Sequence, residues 1–159
     1  MSIIGGKLGY MLLKTGWPGE HAAKSRSNKT YVYRNKLEVA FGPDIFRQIN
    51  RKTVIDFGCG IGQEAIAIAQ HGAAQVIGID IREGVLQQAR ERAQAAGVAQ
   101  KCKFAQSTNE VCDIVISLDS FEHFADPAEI LRIMRSLVRQ DGRALIEFGM
   151  PWFHPYGPI

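Results

Sequence analysis

The stretch VIDFGCGIGQEAIAIAQHGAAQVIGID, from Val54 to Asp80, decides the fold. It begins with a short apolar run and passes through three glycines at alternate positions into a segment of helical periodicity. It ends with a second apolar run that an aspartate closes. A strand, a glycine turn, a helix and a second strand in this order form a βαβ unit, in which the two strands are parallel. The sequence therefore predicts an α/β fold.

The same alternation of strand and helix patterns continues on both sides of this stretch. We predict strands at Thr53–Phe57, Gln75–Asp80, Lys103–Ala105, Asp113–Leu118 and Arg143–Phe148. We predict helices at Tyr33–Phe41, Asp44–Asn50, Gln63–Gln70 and Glu83–Ala96. A last helix is predicted from a cap at Asp126 to a stop at Gly142, with Ile130, Met134, Leu137 and Val138 on its buried face. This order indicates a doubly wound parallel sheet with helices on both faces.

The glycines and the closing aspartate indicate a ligand site. Glycines at 58, 60 and 62 let the turn adopt positive φ and approach a ligand without side-chain interference. The helix that follows points its N–H groups at the same place. Asp80 ends the second strand, where its carboxylate can accept two hydrogen bonds from a ribose diol. Since ligands of such sheets bind at the carboxyl ends of the strands, we expect a nucleoside site there.

Two motifs carry a family resemblance. The pattern DxGxGxG, at Asp56–Gly62, resembles motif I of the class I S-adenosylmethionine-dependent methyltransferases. The segment CDIVISLDSFEHFADP, at Cys112–Pro127, resembles the fourth-strand segment of that family, most of all in ubiquinone-biosynthesis type O-methyltransferases and their type 11 relatives. The resemblance implies a Rossmann-like fold, S-adenosyl-L-methionine as cofactor, and methyl transfer to a small-molecule acceptor by in-line displacement.

The resemblance also implies which residues bind the cofactor. They are Asp56, Phe57, Gly58, Cys59, Gly60 and Gly62 of the loop, Asp80 and Ile81 after the second strand, Ser107 after the third, and Leu118 at the end of the fourth. Asp56 is expected to orient the loop and to hold the ammonium of the methionine moiety. Cys59 is expected to act through its backbone alone. The acid that usually contacts the adenine amino group is absent after the third strand, which leaves the adenine contacts open.

Methyl transfer requires little acid–base chemistry, because the sulfonium is already a strong electrophile and the protein mainly aligns donor and acceptor. A base is needed only where the acceptor must lose a proton. His123, on the loop after the fourth strand, is the predicted catalytic residue; the alternative is a histidine that only packs this loop. Asp119, Glu122 and His123 could hold a divalent cation, but exposed acids on a loop are commoner, so we predict no metal site.

Charge divides the chain into two parts. The net charge is +3, yet residues 1–36 hold seven Lys or Arg against one Glu. We predict that this part is a basic N-terminal arm or lid and that residues 37–159 form the S-adenosylmethionine-binding domain. A basic arm can attract nucleic acid, lipid headgroups or an acidic substrate, but no aromatic stripe accompanies the charges, and a solvated arm is favoured over nucleic-acid binding.

Cysteine spacing and hydropathy bear on location. The three cysteines, Cys59, Cys102 and Cys112, lack CxxC spacing and indicate reduced thiols of a cytoplasmic protein. No apolar window is long enough for a membrane span. These patterns favour a cytoplasmic domain with no membrane-spanning segment.

The last nine residues, PWFHPYGPI, raise an alternative. The family completes its sheet with an antiparallel hairpin, and we expect that hairpin to be missing and the domain to be incomplete at its C-terminus. Exposed apolar surface would then favour self-association. Two other functions stay open: a non-catalytic S-adenosylmethionine-binding remnant or interaction module, and, less favoured by the glycine spacing, a nicotinamide-dependent oxidoreductase.

Overall fold

The computed structural model describes residues 35–147, apart from the side chain of Glu122. Most of the predicted arm, and the segment in which the family's final hairpin would be sought, lie outside the described residues.

The described residues form five strands and five α-helices. The strands are β1 (Thr53–Phe57), β2 (Gln75–Ile79), β3 (Cys102–Ala105), β4 (Cys112–Leu118) and β5 (Val138–Glu147). The helices are α1 (Lys36–Phe41), α2 (Ile45–Ile49), α3 (Gln63–Gln70), α4 (Glu83–Ala95) and α5 (Pro127–Leu137). Short 3-10 turns cover Ala99–Lys101 and Phe121–His123. The predicted bounds of β1 and α3 agree with the structure, and those of most other elements differ by one to three residues.

All five strands are parallel and lie in the order β3-β2-β1-β4-β5. β1 lies at the centre, paired through Thr53 with Gln75 of β2 and through Val54 with Ile114 of β4. This is the strand order of a Rossmann-like sheet. The strand order reverses between β1 and β4, so the carboxyl ends of these two strands flank the crevice in which such sheets bind ligands.

Side chains alternate between the two faces of the sheet, and both faces are buried. One cluster packs Val54, Val76 and Ile116 against the apolar sides of α1 to α4. The other packs Ile55, Ile77 and Val115 against Met134 and Leu137 of α5. Burial on both faces explains why the strands read as continuous apolar runs instead of alternating ones. The predicted doubly wound α/β fold is confirmed.

The boundary between α5 and β5 was predicted wrongly. The start of α5 follows the prediction, since the Asp126 carboxylate accepts a hydrogen bond from the Glu129 N–H at 3.0 Å and Pro127 lies in the first turn. The helix ends at Leu137, however, and not at Gly142. Val138 is buried, as expected, but its φ of −95° and ψ of 133° are extended, and it pairs with Cys112 of β4. Because Val138 is buried in the strand, it continues the helical apolar pattern by one residue, and the sequence therefore predicted a helix that was too long.

Gly142 has a different role from the predicted helix stop. The β4–β5 register shifts between Cys112 and Ile114. A Cβ at Gly142 would lie 2.5 Å from Val138 Cγ1 and 2.6 Å from the Asp113 carbonyl oxygen. Gly142 therefore permits close backbone approach at an irregular point of the β4–β5 pair.

Candidate nucleoside-binding site

Four carboxylates lie at the carboxyl ends of neighbouring strands. Asp56 lies within β1 at its end, Asp80 follows β2, Asp119 follows β4 and Glu147 ends β5. Parallel strands about 4.8 Å apart bring these ends to one edge of the sheet. The edge is thus acidic, and the glycine loop between β1 and α3 runs across it.

The glycine loop has the backbone conformation that its sequence predicts. Gly58, Gly60 and Gly62 have φ of 88°, 51° and 75°, values that side-chain-bearing residues rarely adopt. The N–H groups of Gly58 and Cys59 both donate to the Ile79 carbonyl oxygen, at 2.8 and 2.9 Å. These bonds fix the loop against the end of β2, beside Asp80.

The three glycines of the loop have different surroundings. A Cβ at Gly58 would lie 2.5 Å from the Ser120 side chain, and one at Gly62 would lie 2.9 Å from Phe104 and Ala89. A Cβ at Gly60 would meet nothing within 4 Å. Gly58 and Gly62 are therefore required by internal packing, whereas Gly60 keeps open the side of the loop that a ligand can approach.

Asp80 is held by the loop and by its own neighbour. Its side chain is largely buried, with the residue 8% exposed. Oδ2 accepts the Gly60 N–H at 3.0 Å and the Arg82 Nη2 at 3.1 Å. Oδ1 accepts the Arg82 backbone N–H at 2.9 Å and the Arg82 Nε at 3.0 Å. The predicted acid thus lies at the predicted place, directly under the glycine loop.

Asp56 is a buried carboxyl with an unsatisfied oxygen. The residue is 3% exposed, and its Oδ2 has no hydrogen-bond partner among the described residues. Burial, followed by the negative charge of Glu64, raises the pKa of Asp56 to about 8, against the opposing effect of the Ala65 N–H. A buried acceptor without a partner is costly, so this oxygen points to a donor or cation supplied by a ligand.

The other residues predicted to bind the cofactor fall into two groups. Phe57, Cys59 and Leu118 are buried, whereas Ile81 and Ser107 are half-buried near the ends of β2 and β3. Burial strongly raises the pKa of the Cys59 thiol, which keeps it protonated, in line with the expectation that this residue offers no thiol chemistry. The loop residues and Asp80 come together at one place, and their binding roles stay predictions.

The predicted catalytic residue follows β4, at the same edge of the sheet. His123 ends the 3-10 turn that follows β4 and is exposed. Across residues 35–147, leaving aside the Glu122 side chain, no three or more His, Cys, Asp or Glu residues gather into a group that could hold a metal ion.

A second cluster at this edge was not predicted. Lys36 of α1 forms an ion pair with Asp119, which has a positive φ of 45°. Glu147 lies against Asp119, and its Oε2 is buried without a hydrogen-bond partner in the described part of the chain. Burial, followed by the contact with Asp119, raises the pKa of Glu147 to about 7. The cluster combines residues from three segments that are distant in the sequence: Lys36, Asp119 and Glu147. No local sequence pattern therefore predicts it.

Ser120 and Arg82 were also missed. The Ser120 hydroxyl donates to the Phe57 carbonyl oxygen at 3.0 Å and lies 2.7 Å from the Ser117 hydroxyl, so it ties the loop after β4 to the glycine loop. The sequence did contain a signal for the pairing of Asp80 with Arg82. Residues two apart in an extended segment share a side, and an acid and a base at that spacing can pair.

The fold is that of a Rossmann-like α/β domain, and this edge is its candidate nucleoside site. A family model described as a methyltransferase domain matches residues 50–149. The chain therefore belongs to the methyltransferase-domain family. This confirms the resemblance to S-adenosylmethionine-dependent methyltransferases that the two motifs carry.

Two curated relatives differ in the acceptor that their names give. The chain is 39% identical over 126 residues to the ubiquinone biosynthesis O-methyltransferase of Neisseria meningitidis serogroup C, covering 75% of this chain and 52% of that protein. It is 39% identical over 95 residues to the ribosomal protein L11 methyltransferase of Vibrio campbellii, covering 59% of this chain and 32% of that protein. The chain thus spans about half the length of the first relative and a third of the second.

Solved structures share the fold. An S-adenosylmethionine-dependent methyltransferase from Thiobacillus denitrificans, in complex with S-adenosyl-L-homocysteine, superposes with a TM-score of 0.56 at 23% identity, covering 64% of this chain and 43% of that one. The YcgJ protein of Bacillus subtilis superposes with a TM-score of 0.58 at 26% identity, covering 64% and 47%. Within residues 35–147, no helix combines the length and the apolar character that crossing a bilayer requires.

Proposed function

We propose that this chain is the cofactor-binding part of an S-adenosyl-L-methionine-dependent methyltransferase that transfers a methyl group to a small-molecule acceptor by in-line displacement. One observation carries the proposal: Gly60, whose Cβ side is open, donates its N–H to the Asp80 carboxylate, and the same loop follows the buried Asp56, whose Oδ2 has no partner among the described residues. A nucleoside with a cationic tail matches this arrangement. When bound, S-adenosylmethionine would supply a sulfonium methyl group as the electrophile.

Different residues of the chain bind different parts of the cofactor. Asp80 accepts the ribose hydroxyls, and Gly60 lets the backbone approach the nucleoside. The buried Oδ2 of Asp56 accepts the ammonium of the methionine moiety. Phe57, Ile81 and Leu118 line the site with apolar surface, and Ser107 stands where the adenine ring is expected. Binding at these points orients the donor, and alignment of donor and acceptor can supply a large part of the rate.

The proposal of a small-molecule acceptor rests on the extent of the similarity. The ubiquinone biosynthesis O-methyltransferase aligns over 75% of this chain, and the ribosomal protein L11 methyltransferase over 59%. His123 is the proposed base for an acceptor that must lose a proton, since it is exposed beside the end of β4. A protein acceptor is the competing outcome.

The proposal extends to organisation and location. Residues 1–36 act as a basic arm or lid over a domain of residues 37–159, and the protein works in the cytoplasm, without nucleic acid as a partner. Self-association is the expected state of the isolated chain, because β5 ends the sheet among the described residues and presents an edge.

A product assay tests the function. Purified protein is incubated with methyl-labelled S-adenosylmethionine and a panel of phenols, carboxylic acids, amines and ribosomal protein L11, and the products are identified by mass. Label in a phenol or another small molecule, lost in Asp80→Ala, is the expected result. Label in ribosomal protein L11 alone would overturn the proposal of a small-molecule acceptor. Cofactor binding without any transfer would favour the non-catalytic alternative.

A further inference from the structure

The Asp80 carboxylate is already saturated with hydrogen-bond donors. An ionised carboxylate offers about four lone-pair positions on its two oxygens. Four donors occupy them here, at distances between 2.9 and 3.1 Å: the Gly60 N–H, the Arg82 backbone N–H, and two guanidinium nitrogens of Arg82. A ribose diol needs two of these positions. It can therefore bind at Asp80 only after donors have left.

The guanidinium is the donor group that can leave. The Gly60 N–H belongs to the loop that is fixed to β2, and the Arg82 N–H belongs to the residue that caps α4. Moving either one would displace backbone. The Arg82 side chain is instead a flexible chain that is 39% exposed, and rotations about its own bonds can carry it into solvent. The two guanidinium bonds are also as many as a diol would replace.

We propose that the Arg82 guanidinium competes with the ribose diol for Asp80 and so gates the nucleoside site. This inference rests on the proposed binding of ribose by Asp80. In the structure described, the Arg82 guanidinium forms an ion pair with a largely buried carboxylate. A ligand with both ribose hydroxyls displaces the guanidinium, and its apparent affinity is lowered by the fraction of time that Arg82 occupies Asp80. Arg82 is thus a specificity-determining residue that sets how tightly a nucleoside with both ribose hydroxyls is held.

Adenosine is the probe that isolates this competition. It carries the diol but neither the sulfonium nor the ammonium of the cofactor, so the electrostatics of Asp56 do not enter. 2′-Deoxyadenosine lacks one hydroxyl of the diol and serves as the paired ligand. Both are titrated by calorimetry into the wild-type chain, Arg82→Ala and Asp80→Ala. Arg132→Ala, which removes an exposed partner of Glu129 on α5, is the matched control.

We expect Arg82→Ala to bind adenosine about three- to tenfold more tightly than the wild type, the range that loss of one partly exposed ion pair allows. Arg132→Ala should leave the affinity for adenosine unchanged. In Arg82→Ala, the affinity for 2′-deoxyadenosine should increase by a smaller factor than the affinity for adenosine. Weaker or unchanged adenosine binding in Arg82→Ala, with Asp80→Ala still weakened, would overturn the gate and leave the ribose role of Asp80 standing. Equal binding of adenosine by Asp80→Ala and the wild type would overturn both.

Salt provides a second readout that needs no substitution at Arg82. Adenosine is uncharged, whereas the Arg82–Asp80 pair weakens as ionic strength rises. Adenosine affinity of the wild type should therefore rise modestly between about 0.05 and 0.5 M salt, because the largely buried Asp80 is screened less than an exposed charge. A falling affinity would contradict the competition even if Arg82→Ala did not fold.

Discussion

At the scale of single residues, Asp56 and Asp80 have opposite surroundings although both are largely buried. Asp80 has four donors, including a guanidinium, whereas one oxygen of Asp56 has none in the described part of the chain. The first residue thus becomes available to hydroxyls once the Arg82 guanidinium leaves, and the second is a carboxyl that gains most from a cation. This difference assigns the two ends of the proposed cofactor.

Asp80→Ala should weaken binding of S-adenosylhomocysteine at least about tenfold, because each hydrogen bond to a charged group contributes about 1.5–3 kcal/mol and Arg82 offsets part of the gain. Isothermal calorimetry measures the effect. Asp44→Ala, which removes an exposed partner of Arg47, is the control. An unchanged dissociation constant in a folded Asp80→Ala would remove Asp80 from the site.

The pKa of Asp56 predicts a pH dependence of binding. A ligand ammonium favours the ionised carboxylate, so binding must release the proton that Asp56 holds below about pH 8. The affinity for S-adenosylhomocysteine should rise between pH 6 and 8, by at most about tenfold per pH unit. Adenosine, which has no ammonium, should show no such rise. Parallel pH profiles for the two ligands would contradict the role of Asp56.

The same pKa has a consequence for stability. The pKa of Asp56 lies above its ordinary value of 3.8, so the folded chain holds the proton more tightly than the unfolded chain. The contribution of Asp56 to stability is complete below about pH 4 and is lost as pH rises to about 8. Asp56→Asn should therefore be stabilised relative to the wild type most at pH 8.5 and least at pH 5, as measured by urea unfolding. A difference that does not grow with pH would count against the buried proton.

At the scale of elements, the glycine loop and the β4–β5 pair both depend on glycine, for different reasons. Gly60 has positive φ and an open side. Gly142 lies where the backbones of β4 and β5 approach each other. Substitutions at these two positions should thus separate binding from stability.

Gly60→Val should abolish cofactor binding, because a β-branched residue does not suit a φ of 51° and would project into the open side of the loop. Gly97→Val is the matched control, since Gly97 has a φ of 71° and an equally open side but follows the C-cap of α4. We expect the two variants to lose similar amounts of stability. Only Gly60→Val should lose cofactor binding. Normal binding by Gly60→Val would mean that the loop is not the site.

Gly142→Ala should lower the free energy of unfolding by about 1–3 kcal/mol, the usual cost of overpacking, since the new Cβ meets Val138 and the Asp113 carbonyl. Cofactor affinity should remain, because β5 lies outside the glycine loop. Urea unfolding and calorimetry on the same sample measure both. Full stability of the variant would show that the β4–β5 irregularity does not require glycine.

At the scale of the whole molecule, local signals predicted the fold and the position of the glycine loop and Asp80 in the candidate site. The β1–α3–β2 unit is specified by contiguous residues, so apolar runs, glycines and the closing acid were enough. The end of α5 was missed because Val138 is buried in a strand and continues a helical pattern. The Lys36–Asp119–Glu147 cluster could not be predicted, because it depends on the packing of α1 against the ends of β4 and β5.

The central claim is that the glycine loop and Asp80 select S-adenosylmethionine and not a dinucleotide. Calorimetric titration of the wild-type chain with S-adenosylmethionine and, separately, with NAD⁺ and NADH tests it most directly. The account predicts saturable binding of S-adenosylmethionine at one site per chain and no heat from either nicotinamide cofactor. Binding of NAD⁺ or NADH, with no binding of S-adenosylmethionine, would contradict it.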